Sequence, residues 1–231
     1  MATNPMHQFT VNRIGPEIKI AGIDLSFTNA SLFMFLSAIA ICGVLFLGTR
    51  EKKLIPDKLQ LISEMIYNFI AKMISDTAGT KAKPYFPFIF SLFMFVLFCN
   101  MLGMLPYSFT VTSHIIVTLL MAIFIFIAVT IIGFAKHGFG YLKLFVPSGV
   151  PMVLLPLITI IEIISYLSRP VSLSVRLFAN MMAGHTMLKV FGGFVISLGM
   201  LGGWLPLGFS VALTGLEILV AFLQAYVFAI L

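Results

Sequence analysis

Long apolar runs, too many for one small globule to bury, decide what this chain can fold into. A helix needs about 20 apolar residues to cross the hydrocarbon core of a bilayer. Ser31–Gly48, Tyr85–Leu105 and Phe109–Ala135 contain no Asp, Glu, Lys or Arg, and the chain from Val146 onward is apolar almost without interruption. Of the 231 residues, 60% are hydrophobic and only 10% charged, against about 25% charged in a soluble domain. Such a chain cannot cover itself with polar surface. The pattern excludes a water-soluble enzyme, a disordered tail and a nucleic-acid binder, even though the net charge is +6. A basic excess in a chain of this kind belongs to the flanks of membrane spans rather than to a phosphate-binding face.

The expected fold is all-α: a polytopic membrane protein with about five transmembrane helices in a single integral membrane domain, residues 31–231. Spans are expected at about 31–48, 85–105, 109–135, 150–190 and 204–231. A break between the last two belongs near Gly192-Gly193 or Gly202-Gly203, and no internal repeat is evident. Ile55–Asp76 is different. Leu59, Ile62, Ile66, Phe69, Ile70 and Met73 recur at three- and four-residue steps among Lys58, Glu64, Lys72 and Asp76. That is an amphipathic helix over about 55–76, suited to the membrane interface or to an ordinary connection, and not a span.

Residues 1–30 form a polar leader. Met1–Leu25 holds Arg13, Glu17, Lys19 and Asp24, without the apolar core and small-residue cleavage site of a signal peptide. It is expected to stay on, outside the bilayer. Arg50, Lys52, Lys53, Lys58, Lys72, Lys81 and Lys83 make Thr49–Pro84 basic, and Lys136–Lys143 is basic again, whereas Pro106–Ser113 carries no Asp, Glu, Lys or Arg. The bias places the basic loops in the cytoplasm, or the mitochondrial matrix, and the N-terminus outside. Cys42 and Cys99 sit inside apolar runs and read as buried thiols, not as a disulfide or a metal site. No metal ligand set and no cofactor is expected.

Ionisable groups inside a span cost several kcal/mol and mark function by default. From Glu162 the polar positions run Ser165, Arg169, Ser172, Arg176 and Asn180, in steps of three, four, three, four and four. At about 100° per residue these side chains share one narrow face. Ser210, Thr214, Glu217 and Gln224 form a second stripe on the last helix. Both stripes should face protein or water rather than lipid.

Ser165, Ser172, Ser210 and Thr214 equally suit hydrogen bonds between helices with no part in transport. Arg169, beside Pro170, suits a structural or snorkelling role. Arg176 is a different case, because its guanidinium cannot shed its cost by losing a proton. Glu162 lies fourteen residues away, about 21 Å along the axis, too far for a direct pair. Glu217 could reach it, but a static pair would leave the rest of the stripe without purpose. Arg176 is therefore expected to face a carboxylate on another polypeptide. His185, nine residues further on, points to the opposite side of the helix. Glu217 is its natural partner, and together they suit a proton relay, with simple packing as the alternative. Lys189 marks the polar end of that helix.

The run Leu167-Ser-Arg-Pro-Val-Ser-Leu-Ser-Val-Arg-Leu-Phe-Ala-Asn-Met-Met-Ala-Gly-His185 resembles the signature of the a-subunit family of F-type ATP synthases. Glu217-Ile-Leu-Val-Ala-Phe-Leu-Gln-Ala-Tyr-Val-Phe228, Asn100-Met-Leu-Gly-Met-Leu-Pro106 and Phe109-Thr-Val-Thr-Ser-His114 resemble other segments of it, in the right order. The opening Asn4-Pro-Met-His-Gln-Phe9 has an alphaproteobacterial or mitochondrial style. The resemblance implies a non-catalytic, proton-translocating stator subunit in the membrane sector of the synthase. It would be multi-pass in a bacterial inner membrane (or a mitochondrial one), beside a ring of c subunits and b-type peripheral stalk subunits. By the same resemblance Arg176 is the arginine facing the ring, and Glu162 lines the path to the cytoplasm or matrix. Asn180, His185, Glu217 and Gln224 line the path to the other side. Many bacterial members carry an acid and a histidine, exchanged, at positions 185 and 217; this chain has the mitochondrial arrangement. The family also implies that the last two helices are long and tilted. Its pattern continues into a short polar tail with an acidic residue, whereas this sequence ends at Leu231.

Two other functions suit the composition. A stand-alone proton-coupled transporter or channel would use Glu162, Arg176, His185 and Glu217 internally, but such folds usually show internal repeats. The other is a non-transporting assembly subunit of a respiratory complex; co-elution with a c-subunit ring would favour the stator reading over both.

Overall fold

A computed structural model of the chain describes residues 9–15, 19–20, 23–24, 26–50, 56–105, 108–146 and 154–230. Six α-helices carry most of them: α1 Asn29–Arg50, α2 Lys58–Ala78, α3 Phe86–Gly103, α4 Ile115–His137, α5 Leu155–Gly202 and α6 Trp204–Ile230. Five helices are long and apolar enough to cross a membrane, and α2 is not among them. In hydrocarbon each backbone N–H must find its acceptor within the segment, which a helix provides. Large apolar side chains point outward along these helices, with Phe124 66% exposed and Ile196 83%. Surfaces of that kind are solvated by lipid. Cys99 is buried, but Cys42 is exposed on α1, which corrects the expectation of two buried thiols. An apolar neighbourhood in sequence implies burial in protein only where lipid does not supply the solvent.

The polar leader holds a little strand structure ahead of the helices. Lys19–Ile20 (β1) pairs antiparallel with Ile23–Asp24 (β2), and Arg13 bridges Thr28. Asn29 ties this segment to the start of α1. Its Oδ1 accepts from the Asn12 and Ala30 backbone N–H groups at 3.2 and 3.0 Å, and its Nδ2 donates to the Thr10 carbonyl at 3.1 Å.

The chain forms two compact units: one is the chain up to Thr112 together with Asn180 onward, and the other is Ser113–Ala179. In the first unit the core lies on α2, α3 and α6, where Ile70, Phe93, Met94, Val96, Ala221, Ala225 and Phe228 are buried. The Phe69 ring meets Phe93, Phe222 and Tyr226 with centroids 5.4 to 6.0 Å apart. Each such ring pair contributes about 0.5–1.5 kcal/mol beyond its buried area. The apolar face of α2 is divided: Ile70, Met73 and Ile74 are buried, while Ile62 and Leu59, about two and three turns before Ile70, are exposed. Close to them Ser63 packs on α1 against Gly48, in the space a Cβ there would occupy, and its hydroxyl donates to the Val44 carbonyl at 3.4 Å.

Two hydroxyls cap the end of α3. Thr110 Oγ1 donates to the Gly103 carbonyl at 3.1 Å, and Ser108 Oγ shares its one proton between the Gly103 and Leu105 carbonyls, at 2.9 and 2.7 Å, satisfying acceptors a helix C-terminus leaves open. This moves a boundary. Phe109–Ser113, expected inside a span, is a buried return segment with a 3-10 turn at Val111–Ser113, and α4 begins at Ile115. Burial holds the His114 imidazole, just before α4, below its ordinary value. It is therefore neutral at pH 7, as suits the positive end of a helix dipole.

The second unit contains α4, a 3-10 turn at Gly138–Phe145 and the first part of α5. Gly138 stops α4 with φ 52°, its N–H bonded to the Phe134 carbonyl, the left-handed cap for which glycine is suited. Thr118 Oγ1 and Ser174 Oγ, both fully buried, meet at 3.2 Å and join α4 to α5.

The break before α6 falls at Gly199 (φ 61°), between the two expected glycine pairs. Gly203 N–H then bonds to the Gly199 carbonyl at 2.9 Å, so α5 runs well beyond the expected end at residue 190. Residue 150, the expected start of that span, lies outside the described residues, as do Ile55, Pro106 and Leu231.

A side chain on Gly103 would break the α3 return. A Cβ there would stand 2.8 Å from Thr110 Cγ2 and 3.3 Å from its Cα. Gly103→Ala should destabilise the protein by about 1–3 kcal/mol, the usual cost of overpacking, read as a lower thermal midpoint in detergent. An unchanged midpoint would show that the return segment is free to move aside.

Candidate functional site

The ionisable residues of the two apolar helices fall into two settings, one buried and one exposed. The buried setting belongs to the first unit. His185 on α5 and Glu217 on α6 face each other, with Nδ1 3.4 Å from Oε1. They are 9% and 4% exposed. The contact is close enough for an ion pair, but neither Glu217 oxygen is aligned as a hydrogen-bond acceptor. Gly184 makes the approach possible: a Cβ on it would meet Glu217 Oε1 at 2.7 Å and Cδ at 2.9 Å. Any other residue there would push the carboxyl away.

Gln224, two turns beyond Glu217 on the same side of α6, is also buried. Between them, the Ala221 carbonyl accepts a 3.3 Å bond from Asn100 Nδ2 of α3. Asn100 is fully buried, and no role attaches to it in the sequence reading beyond its place in a motif. The signal available was an asparagine late in an apolar, uncharged span, where an amide must find a partner. Asn100 Oδ1, His185 Nε2, both Glu217 oxygens and Gln224 Oε1 are buried without hydrogen-bond partners among the described residues. Buried polar atoms are nearly always paired, each orphan costing about 1–3 kcal/mol. A line of them within one unit is thus a feature that packing alone does not explain.

The upper part of the α6 stripe behaves otherwise. Ser210 Oγ and Thr214 Oγ1 donate to the carbonyls of Pro206 and Ser210 in their own helix, both at 2.9 Å. Thr214 is exposed. Their hydroxyl protons therefore do not join one helix to another.

The exposed setting belongs to the second unit. Glu162 is half-buried, while Ser165, Arg169, Ser172 and Arg176 are exposed along α5. Asn180, one turn further and in the first unit, is half-buried. The packed side of this stretch consists of Tyr166, Pro170, Leu173, Ser174 and Leu177. On a helical wheel the stripe lies beside that side, not within it. Arg169 extends over the ring of Tyr166, 5.6 Å from its centroid, a cation–π placement. Among the described residues Arg176 has neither an ion pair nor a hydrogen bond. It presents a full positive charge on an apolar helix, turned away from the helix's own packing. No cluster of His, Cys, Asp or Glu able to hold a metal ion occurs among the described residues.

Known proteins are similar to this chain over its whole length. It is 78% identical over 231 residues to ATP synthase subunit a of Pelagibacter ubique (strain HTCC1062), across 100% of this chain and 95% of that protein. It is 61% identical over 237 residues to ATP synthase subunit a of Rhizobium rhizogenes, and 59% identical over 237 residues to that of a Chelativorans species. These cover 100% of this chain and 94% and 95% of the relatives. Residues 31–231 match the family described as ATP synthase A chain, and the chain belongs to that family.

Proposed function

We propose that this chain is the proton-translocating stator subunit of the membrane sector of an F-type ATP synthase in a bacterial inner membrane. It stands beside a ring of c subunits and the b-type peripheral stalk. Its N-terminal segment faces outward, and its basic loops face the cytoplasm. The observation that supports this best is Arg176: a permanently charged, exposed guanidinium on an apolar helix, without a partner in its own chain among the described residues. A cation in that position needs a carboxylate from outside.

Electrostatics turns such a contact into rotation. A neutral ring carboxyl can face lipid, whereas an ionised one costs several kcal/mol or more. As a ring site nears Arg176, the positive charge depresses its pKa and the proton leaves. Beyond the arginine the site is reprotonated from the opposite path and returns to lipid. The fixed cation also stops protons from hopping directly between the paths. Each charge moved yields about 2.3 kcal/mol per 100 mV of potential.

The two paths use the two settings. Glu162, with Ser165 and Ser172, lines the path on the cytoplasmic side. His185, Glu217, Gln224 and Asn180, with Thr214, line the outer one. The buried polar atoms of Asn100, His185, Glu217 and Gln224 without partners favour this reading, since water entering between the helices would satisfy them. The 45-residue apolar stretch Leu155–Gly199 would be about 67 Å long at 1.5 Å per residue. The hydrocarbon core is about 30 Å thick. A helix of this length lies strongly tilted, so its stripe can face a long arc of the ring.

Arg176→Ala should abolish ATP-driven proton pumping in reconstituted vesicles while ATP hydrolysis persists; near-normal pumping would refute the role given to it. Glu217→Gln keeps the shape of the side chain but cannot exchange a proton. Passive proton conduction per assembled complex should fall on the order of a hundredfold, the low end of what a proton-transferring group contributes. Loss of assembled complex with unchanged conduction per complex would make Glu217 structural. Gly184→Ala should shift conduction in the same direction by displacing the Glu217 carboxyl; equal rates would show that its 3.4 Å approach to His185 is dispensable.

A further inference from the structure

Tyr166 lies within the stretch of α5 that carries the exposed stripe, four residues after Glu162 and three before Arg169, but it faces the packed side. Its hydroxyl is 2.7 Å from Thr130 Oγ1 of α4 and 2.8 Å from the hydroxyl of Tyr141, in the 3-10 turn after α4. Thr130 fixes the direction of these bonds, because its own O–H donates to the Phe126 carbonyl at 2.7 Å. A hydroxyl has one proton to give. Thr130 therefore accepts from Tyr166, and Tyr166 accepts from Tyr141. The chain ends on a backbone carbonyl, which cannot hand a proton on, so these groups hold position and do not conduct.

The surroundings reinforce the same point. Phe126 and Phe145 pack on the Tyr166 ring at centroid distances of 4.7 and 5.4 Å, and Phe134 packs on Tyr141 at 4.9 Å. The Tyr141 ring fills the space that a Cβ on Gly133 would need. Pro170 follows Tyr166 by four residues. Lacking an N–H, it removes the helical bond to the Tyr166 carbonyl and would be expected to kink the helix. Yet the backbone of α5 stays helical there and departs only at Gly199.

We propose that Tyr141, Tyr166 and Thr130 form a clamp that fixes the rotation of α5 about its own axis at the proline turn, and so sets the direction in which the Glu162–Arg176 face points. The inference rests on the function proposed for that face. On the wheel Arg176 stands about 80° from Tyr166, at about 100° per residue. A slip of one residue step, about 100°, would carry the guanidinium onto the packed side in one sense and to the far side of the helix in the other. Tyr166, Tyr141 and Thr130 are positioning residues, acting through α5 without touching the proton path.

The test uses the assembled synthase with spin labels at Phe139→Cys and Ile164→Cys, both exposed positions of this unit. The background is Cys42→Ser, since Cys99 is buried. The parent should give one narrow label distance. Tyr166→Phe and Tyr141→Phe, which keep the rings, should each broaden it. Each should also lower passive proton conduction per complex by roughly tenfold, well within what a small misplacement of a reacting group costs. The double variant should be no worse than Tyr166→Phe alone, because losing the Tyr166 hydroxyl already breaks both bonds. A distance that stays narrow in both single variants, or conduction that stays normal in both, overturns the clamp. Normal pumping by Arg176→Ala with the label distance intact would instead overturn the reading of the face.

Discussion

A guanidinium on a helix made for hydrocarbon is the constraint around which this molecule is arranged. Arginine cannot neutralise itself, so its position must be supported by a negative partner or by water. The chain has a second ionisable centre, built differently. His185 and Glu217 are buried, mutually close and able to change protonation state, whereas Arg176 is exposed and fixed in charge. The pair whose charge can change is enclosed by its neighbours, and the fixed cation is left open.

Packing in such a protein cannot rely on the hydrophobic effect, since lipid tails are as apolar as the side chains. Close approach and hydrogen bonding take its place. Four glycines, Gly48, Gly103, Gly133 and Gly184, each leave room for a specific neighbour: Ser63, Thr110, Tyr141 and the Glu217 carboxyl. Hydroxyl pairs do the rest, as between Thr118 and Ser174. Small residues therefore decide where the polar groups stand, which is why the buried acid can lie directly against the backbone of its neighbouring helix.

The helices were legible in the sequence because a bilayer imposes a length and forbids unpaired backbone, and five apolar stretches meet both demands. Periodicity alone also exposed the Glu162–Asn180 stripe, since helical spacing is a property of neighbours along the chain. The misreadings have one cause. Phe109–Ser113 is apolar enough for a span, yet the two hydroxyls that bond to the Gly103 carbonyl fold it back. Cys42 lies among apolar neighbours and is exposed all the same. Asn100 and Gly184 matter through contacts with α6, more than a hundred and about thirty residues away. Long-range partners of this kind leave no trace in a local pattern.

The most direct measurement is a density map of the intact complex around Arg176, recorded in several rotary states. The expected result is a carboxylate of a different polypeptide opposite the guanidinium, replaced by an equivalent one from state to state. A carboxylate of this same chain bound to Arg176 in every state would contradict it.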